Sequence, residues 1–321
     1  PVDQDSDDDL VSDGDEILNG SDPCEADQSP PPPALPESCN GLVYQGTFEP
    51  NTSAELAGFC ADGYTVISED LVVDRTYFTN LIGLECLCEV RGDVKIERNN
   101  TLLNIRGLDQ LRIIGGSLTV MNNLSLRNLY RLNNLQWIGE DLKVINEQSL
   151  NNLNHFTSLE TIRGAILIDE TRSLQTINGF NQLTWLGGSL SLHDNHSLAT
   201  VSGFSEIDTL GHNLEFIGNL SLRSISGFNR LIDIDGDLFI NRNSSLREIN
   251  GLRGLHGITG ALEINRNNKL YCLIGLHSIR SLSGDLFIQQ NHSLPNSRAL
   301  NLRDSIGNGL QGNAFISGNS P

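Results

Sequence analysis

Aromatic side chains and long apolar stretches are both scarce in this sequence. Phe, Trp and Tyr make up 6% of the 321 residues, with two Trp and one Met. No apolar run approaches the ~18 residues that a membrane-spanning helix requires, so membrane insertion is not expected. Basic residues are also few, 21 against 40 acidic, for a net charge of −19. A nucleic-acid partner is not expected either, because phosphate binding needs a basic face.

The acidic excess is concentrated at the start of the chain. Residues 1–27 hold 11 acidic residues and no Lys or Arg, which leaves −8 for the other 294 residues. Six residues of this segment follow the ligand spacing of an acidic calcium loop: Asp5, Asp7, Asp9, Val11 (through its carbonyl), Asp13 and Glu16. Leu10 stands where such loops place Gly. The pattern predicts bound Ca²⁺, and the alternative interpretation is an acidic, solvated tail.

A proline-rich stretch follows the acidic segment. Residues 29–36 read SPPPPALP, and consecutive prolines favour the polyproline II conformation, a semi-rigid spacer. Residues 28–38 are therefore predicted to be a linker. The chain begins Pro-Val-Asp rather than with Met, so we interpret it as a mature or excised segment whose targeting signals lie outside it.

Cysteines are few, and most lie before the regular part of the chain. Five precede or open the repeats described below and one lies far downstream: Cys24, Cys39, Cys60, Cys86, Cys88 and Cys272. This clustering predicts a disulfide-stapled cap and an oxidising compartment. The preferred bridge is Cys39–Cys60. Zinc binding by Cys86 and Cys88 is disfavoured, because no partner ligands lie at useful spacing. Cys272 is expected to be a lone, partly exposed thiol.

What the sequence has in abundance is repetition with a period of 24 residues. When the repeats are aligned, one position, which we call the glycine column, holds Gly in seven copies and Glu140 or His212 in two others. The seven are Gly92, Gly116, Gly164, Gly188, Gly236, Gly260 and Gly284. A period held over nine copies is typical of a solenoid, in which each repeat forms one turn and neighbouring turns bury each other's apolar face. Within each copy, apolar residues at i and i+2, such as Leu238 and Ile240, predict a strand with both side chains pointing inward.

A polar column accompanies the apolar ones. It holds Asn at most positions, with Glu147 and Thr171 as exceptions: Asn99, Asn123, Asn195, Asn219, Asn243, Asn267 and Asn291. A buried Asn at a turn can satisfy backbone groups of its own and adjacent coils. Six of these residues lie in glycosylation sequons, but an inward-pointing Asn has no room for a glycan. Asn19 and Asn51 remain as the candidate acceptors.

The ends of the array are predicted to differ from its middle. Residues 39–90 read as an N-terminal cap and a degenerate first coil, residues 91–290 as regular coils and residues 291–319 as a C-terminal cap. The stretch 64–73 alternates like a strand. Residues 297–306 predict a short helix. A last strand then follows four residues late, with Ala314 and Ile316 at the inward positions and Asn319 in the Asn column.

The outward positions of the strands are the candidate functional residues. Six of them near the end of the array define a predicted binding face, with the two Phe about 10 Å apart at ~4.8 Å per coil: Asp237, Phe239, Arg242, Glu263, Arg266 and Phe287. Exposed aromatics on a rigid sheet suit a protein or glycan ligand. The alternative is cross-strand packing of the rings. No catalytic constellation stands out, and His193, Asp194 and His196 come nearest to one.

The repeat unit G-x-L-x-I-x-x-N-x-x-L-x-x-I-x-G-L-x-x-L-x-x-I resembles the receptor L domain of growth-factor receptor ectodomains and microbial surface proteins. The resemblance covers residues 39–319 and implies an all-β fold, a right-handed, leucine-rich-repeat-like parallel β-helix. The sequences DSDDDLVSDGDE and NGSDP resemble a thrombospondin type 3 repeat over about 20 residues, which implies Ca²⁺ binding and a stiff extracellular linker.

These observations predict a non-enzymatic recognition or adhesion module, secreted or displayed at a cell surface, of bacterial origin. Its expected partner is an extracellular protein or glycan, bound through the outward face of the solenoid. The alternative is a structural stalk or a filament component of the cell envelope that acts by self-assembly. In that case the partner is another copy of the chain.

Overall fold

The computed structural model describes residues 29–321 and shows the predicted β-solenoid. The segment 1–28, which contains the predicted calcium ligands and Asn19, lies outside the described residues. Residues 30–36 contain no helix or strand, and a short 3-10 helix follows at Glu37–Cys39. From residue 42 onward the chain winds through parallel strands that pair with strands one coil away.

The main sheet, which we call the long sheet, takes one four-residue strand from each coil. Its eleven strands are all parallel: Leu71–Asp74, Val94–Glu97, Leu118–Met121, Leu142–Ile145, Ile166–Asp169, Leu190–His193, Leu214–Ile217, Leu238–Asn241, Leu262–Asn265, Leu286–Gln289 and Ala314–Ser317. Pairing is in register, so that Leu238 lies beside Leu262 and Ile240 beside Ile264. From Leu71–Asp74 to Leu286–Gln289 the first and third residue of every strand are buried, which confirms the two predicted inward ladders.

Shorter strands form the other sides of the coils. Seven belong to one sheet: Leu42–Tyr44, Tyr64–Ile67, Glu89–Val90, Ile113–Ile114, Trp137–Ile138, Thr161–Ile162 and Trp185–Leu186. Four more form a separate sheet at the same coil positions: Thr209–Leu210, Asp233–Ile234, Gly257–Ile258 and Ser281–Leu282. The last sheet has five: Asn152–Leu153, Thr176–Ile177, Thr200–Val201, Ser224–Ile225 and Glu248–Ile249.

The core is a set of ladders of like side chains, because each coil repeats its neighbour's register. One corner of the coils contains a stack of four buried rings, Phe156, Phe180, Phe204 and Phe228. Successive ring centroids lie 5.0, 5.0 and 5.3 Å apart, at interplanar angles of 13°, 8° and 10°. Each fully buried ring contributes roughly 1.5–3 kcal/mol from apolar burial, so the stack stabilises the contact between successive coils.

The asparagine ladder is completely buried and joins each coil to the one before it. Asn243 is typical. Its Oδ1 accepts from the N–H of Asn219 at 3.0 Å, and its Nδ2 donates to the carbonyl of Phe216 at 2.8 Å. The seven predicted members are 0% exposed, which confirms their structural role. Asn51 is exposed and remains a candidate glycan acceptor.

Glu147 replaces one asparagine of this ladder. It accepts hydrogen bonds as the asparagines do, but it has no N–H to donate to a carbonyl. One oxygen, Oε1, accepts from both the N–H and the Nδ2 of Asn123, each at 2.9 Å. The other, Oε2, is buried without a hydrogen-bond partner in the described part of the chain. Burial raises the pKa of this carboxyl to about 7, against the lowering effect of the Asn123 donors. The ladder therefore contains a carboxyl group that resists ionisation.

The residue just before each ladder position turns the corner in the left-handed conformation. Its φ lies between 46° and 72° in every coil: Arg75, Arg98, Asn122, Asn146, Glu170, Asp194, Gly218, Arg242, Arg266, Gln290 and Gly318. Asn and Gly adopt this conformation most readily. Larger side chains at these positions carry a backbone cost, which matters below for Arg242 and Arg266.

A second polar ladder, which was not predicted, runs along the start of the long-sheet strands. Asp237 belongs to it, since its Oδ1 accepts from the N–H of Ala261 at 2.6 Å. Oxygens of this ladder account for five of the seven glycines in the column. A Cβ on Gly260 would lie 2.1 Å from the Asp237 oxygen, and a Cβ on Gly92, Gly116, Gly164 or Gly236 would meet the equivalent Asp or Asn oxygen of the previous coil. At Gly188 and Gly284 the previous coil carries Ala, and a Cβ would meet its backbone instead, at 2.7 and 2.6 Å.

The N-terminal cap is held by two disulfides, and the predicted Cys39–Cys60 bridge is wrong. Cys39 pairs with Cys88 and Cys60 with Cys86, at separations of 49 and 26 residues. These are close to two coils and one coil, so stacking of turns, rather than closure of one loop, brings the cysteines together. Helix α1, Ser53–Ala61, lies between Cys39 and the first coil in sequence. Its N-terminus is a capping box made by Thr52 and Glu55.

At the two ends of the array, the prediction of one strand at 64–73 is wrong and the prediction of a C-terminal cap is confirmed. The alternating stretch 64–73 is not one strand. It bends at residues 68–69 and divides into Tyr64–Ile67 and Leu71–Asp74, which belong to different sheets. The C-terminal cap is confirmed: helix α2, Asn296–Ile306, and a 3-10 turn, Gly307–Gly309, precede the displaced last strand. Asn319 donates to the carbonyl of Ile288 at 2.9 Å, as a ladder member does.

Candidate binding face on the long sheet

Aromatic side chains gather on the outward face of the last long-sheet strands. Phe239, Glu263 and Phe287 occupy the second strand position in three consecutive coils and lie side by side in register. Phe315 follows in the next coil. Sequence reasoning missed Phe315 as a member of this face, although the placement of Ala314 and Ile316 in the inward ladders already implied that the residue between them points outward.

The rings are accessible and partly pre-arranged. Phe287 and Phe315 stack with their centroids 4.8 Å apart and their planes 9° from parallel. Phe315 is 42% exposed, whereas Phe239 and Phe287 are half-buried. The cross-strand packing considered as an alternative is therefore present between two of the rings, and it leaves an aromatic surface facing solvent. Phe239 stands apart, separated from Phe287 by the coil that carries Glu263.

A groove of about 270 Å³ lies beside these rings, where the strands reach the corner. It contains two of the predicted arginines and Glu263, together with amides that were not predicted: Asn241, Arg242, Glu263, Asn265, Arg266 and Gln289. The fourth strand position supplies the amides and the left-handed corner supplies the arginines. Phe239, Glu263, Arg242 and Arg266 are thus brought to one surface. Asp237 lies at the other end of its strand, in the second polar ladder.

The amides hold the carboxylate of Glu263 in place. Its Oε1 accepts from the Nδ2 of Asn241 at 3.0 Å and from the Nδ2 of Asn265 at 2.6 Å. The Asn241 Oδ1 in turn accepts from the N–H of Asn265 at 3.0 Å. Among the described residues no partner lies on the Glu263 Oε2. This oxygen leaves a hydrogen-bond acceptor available at the groove that Glu263 lines.

The arginines at the groove form no ion pair within the described residues, although Glu263 lines the same groove. Within residues 29–321 the guanidinium of Arg242 has no hydrogen bond or ion pair, and that of Arg266 bonds only through Nε to Gln290 Oε1 at 2.8 Å. At the same corner six coils earlier, Arg98 binds Asp74 at 2.8 Å and Glu97 at 3.1 Å. Both groove arginines are exposed, so their remaining N–H donors face solvent.

The two histidines of the predicted cluster each lie near a carboxylate, and His196 Nε2 is 3.9 Å from Asp194 Oδ1. His193 Nε2 lies 2.7 Å from Glu215 Oε2, and the Ser191 hydroxyl donates to the same oxygen at 3.2 Å. The hydrogen bond with Glu215 raises the pKa of His193, and the same bond lowers the pKa of Glu215. Serine and histidine thus both bond to the carboxylate and not to each other, whereas an activated nucleophile needs contact with its base.

A larger but shallower depression, about 450 Å³, lies on another side of the solenoid. It is lined by polar residues such as Arg127, Ser149 and Ser173. The Ser149 and Ser173 hydroxyls already donate to backbone carbonyls, at 2.7 and 2.6 Å. No aromatic side chain lines either depression. We regard the smaller groove as the better candidate site because Glu263, which lines it, lies between Phe239 and Phe287 in the outward row.

The described residues contain no cluster of three or more His, Cys, Asp or Glu side chains placed to hold a metal ion. The predicted calcium ligands lie outside that range, so calcium binding stays a prediction. No helix in residues 29–321 has both the length and the apolarity to cross a membrane. Comparisons with protein-family models, curated proteins and solved structures found no match to this chain.

Proposed function

We propose that the protein is a non-enzymatic extracellular recognition or adhesion module that binds a protein or glycan through the last coils of the long sheet. The single observation that carries this proposal is the outward row Phe239, Glu263, Phe287 and Phe315 beside a polar groove. Aromatic rings with a few placed polar groups are the usual composition of binding surfaces.

The scaffold favours such a role because it needs little ordering when a ligand binds. The backbones of Leu238–Asn241, Leu262–Asn265 and Leu286–Gln289 are fixed by parallel pairing on both sides, and the two polar ladders hold the strand ends. Residues on a rigid sheet lose less conformational entropy on binding than residues on a loop. A face built in this way offers a fixed pattern of rings, amides and charges.

An extracellular location is part of the proposal. Two disulfides close the N-terminal cap, and structural disulfides persist in oxidising compartments. The resemblance of residues 1–27 to a calcium-binding thrombospondin type 3 repeat and of the solenoid to receptor L domains supports the same location. Secretion or cell-surface display, in a bacterium, is the setting that we infer.

The alternative, a stalk or filament component, is supported by a different observation. The strand Ala314–Ser317 is the last of the long sheet, so one row of its backbone N–H and C=O groups pairs with no strand within the described residues. An unpaired edge is a template for addition of another strand. Phe315 and the half-exposed Ile316 lie at this end. Self-assembly through it would give a polymer of solenoids.

The test is to screen the full chain against arrays of glycans and of extracellular proteins, and then to repeat the screen with Phe239→Ala combined with Phe287→Ala. Leu167→Ala is the matched control, since Leu167 has the same strand position three coils before Phe239. We expect the double variant to lose binding and the control to keep it. A ligand that binds the double variant unchanged, or a regular polymer seen by native mass spectrometry and electron microscopy, would overturn the proposal.

A further inference from the structure

We infer that the groove beside Phe239 and Phe287 takes an acidic glycan, a sugar chain whose uronate carboxylates bind Arg242 and Arg266. This inference rests on the proposed recognition function and names its ligand class. Three independent features carry it: the pattern of charge along the sheet, the backbone conformation of the two arginines, and the way in which the rings and Glu263 are placed between them.

The charge pattern changes from one end of the long sheet to the other. In the first coils two cations on this face form ion pairs: Lys95 lies between Asp70 and Asp93, both at 2.8 Å, and Arg98 lies beside Asp74 and Glu97. Arg75, at the first corner, forms no ion pair within the described residues.

In the last coils the fourth strand position, next to the corner, holds neutral amides instead of acids: Asn241, Asn265 and Gln289. Within residues 29–321, Arg242 and Arg266 therefore form no ion pair, in a protein of net charge −19. The acid that lines the same groove is Glu263, whose Oε1 is bound by the amides of Asn241 and Asn265 rather than by either arginine.

The backbone supplies the second feature. Arg242 and Arg266 have φ of 58° and 59°, a region that Asn or Gly adopts at lower cost. At Arg98, with φ 55°, the ion pairs with Asp74 and Glu97 offset that cost. At Arg242 no internal contact does so. Unfavourable backbone conformations persist most often where the side chain has a function. The guanidiniums of Arg242 and Arg266 lie on adjacent coils without ion pairs in the described structure, and their remaining N–H donors form a site for a carboxylate.

The remaining groups suit a sugar better than a peptide. A pyranose ring presents an apolar C–H face, which can lie on Phe239 or Phe287, and hydroxyl groups, which can donate to the free Glu263 Oε2. An extended peptide usually binds a sheet through its main chain. The backbone groups on this face are already paired between Leu238–Asn241, Leu262–Asn265 and Leu286–Gln289, so a peptide lying across it gains no such bonds.

The experiment measures binding of oligogalacturonate hexasaccharide to the full chain by calorimetry, in ~0.15 M salt with EDTA. EDTA prevents Ca²⁺ from bridging the uronates to the acidic segment 1–27. The fully methyl-esterified hexasaccharide is the matched ligand without charge. The variant is Arg242→Asn combined with Arg266→Asn, which keeps a residue suited to the left-handed corner. Arg98→Asn is the control at the same corner, six coils away.

We expect the acidic hexasaccharide to bind, and both its esterified form and the double Arg variant to bind at least ~10-fold more weakly, equivalent to ~1.4 kcal/mol. The Arg98→Asn variant should bind like the wild type. Equal binding of both sugars, or unchanged binding by the double variant, would overturn the acidic-glycan inference and leave recognition through the Phe face standing. If the chain bound a protein ligand through Phe239 and Phe287 but bound no glycan, the acidic-glycan inference would be refuted and the proposed recognition function would stand. If the variant with both Phe239→Ala and Phe287→Ala still bound its glycan and protein ligands, the proposed function itself would be refuted.

Discussion

Replacement of Glu147 by Gln should stabilise the protein at neutral pH and leave it unchanged in acid. The carboxyl is 0% exposed, with one oxygen accepting twice from Asn123 and the other without a partner in the described structure. An amide keeps the acceptor at Oε1, carries no charge and can donate from its nitrogen, as the ladder asparagines do. The substitution therefore removes the cost of a buried ionised group and preserves the shape of the side chain.

The magnitude follows from the raised pKa. Between the ordinary carboxyl value of 4.5 and the folded value of about 7, the folded state holds a proton that the unfolded state has released. The free energy of unfolding of the wild type therefore decreases as pH rises through this window. At 1.36 kcal/mol per pKa unit the decrease approaches ~3 kcal/mol above pH 7. In the Glu147→Gln variant the free energy of unfolding should not show this decrease with pH.

Urea unfolding, followed by fluorescence of Trp137 and Trp185, would be measured for both proteins at several pH values from 4 to 8. Because long repeat arrays can unfold in steps, hydrogen exchange at the Asn123 amide gives a local measurement beside the global one. Glu160→Gln, on an exposed side chain, controls for the loss of one negative charge. The reasoning is refuted if the stability difference between Glu147→Gln and wild type stays constant over this pH range.

Three other perturbations test the ladders and the cap. Asn243→Ala leaves a buried N–H and a buried C=O without partners, and we expect a loss of about 3 kcal/mol in urea unfolding; a loss below ~1 kcal/mol would contradict the structural role of the ladder. Gly260→Ala places a Cβ 2.1 Å from Asp237 Oδ1, so it should lower the thermal midpoint, and Asp237→Ser should restore part of the loss. No restoration would show that the clash lies elsewhere. Cys60→Ser combined with Cys86→Ser removes a bridge across 26 residues, for an expected cost of about 3 kcal/mol, measured against Cys272→Ser as the control. An unchanged midpoint would argue that α1 packs onto the first coil without the bridge.

Prediction of the site from sequence was partial for a physical reason. The alternation of a strand shows which side chains point outward, and this placed Phe239, Glu263 and Phe287 correctly in one row. Alternation does not show which outward polar groups bond to each other. The Asp237 carboxylate turned out to serve the coil that follows it, whereas the amides of Asn241 and Asn265 orient Glu263.

The 24-residue period by itself determined the solenoid, the inward ladders and the buried asparagines. A side chain that recurs at one coil position must meet its own copies in the neighbouring turns, so local periodicity specifies the contacts between coils. The same rule placed the last strand despite its four-residue displacement. These are contacts between like positions, and they need no knowledge of distant parts of the chain.

Only the tertiary structure decided what happens where the period fails or where unlike positions meet. The cysteines pair across turns because α1 and the first coil bring Cys39 to Cys88 and Cys60 to Cys86, which no spacing rule shows. The glycine column depends on the oxygen of Asp237 and its equivalents in the previous coil at five positions, and on backbone atoms of the previous coil at Gly188 and Gly284. Within the described residues Arg242 and Arg266 form no ion pairs, because amides rather than acids stand at the ends of the neighbouring strands. Each of these features depends on distances between side chains at different coil positions, and the period does not determine those distances.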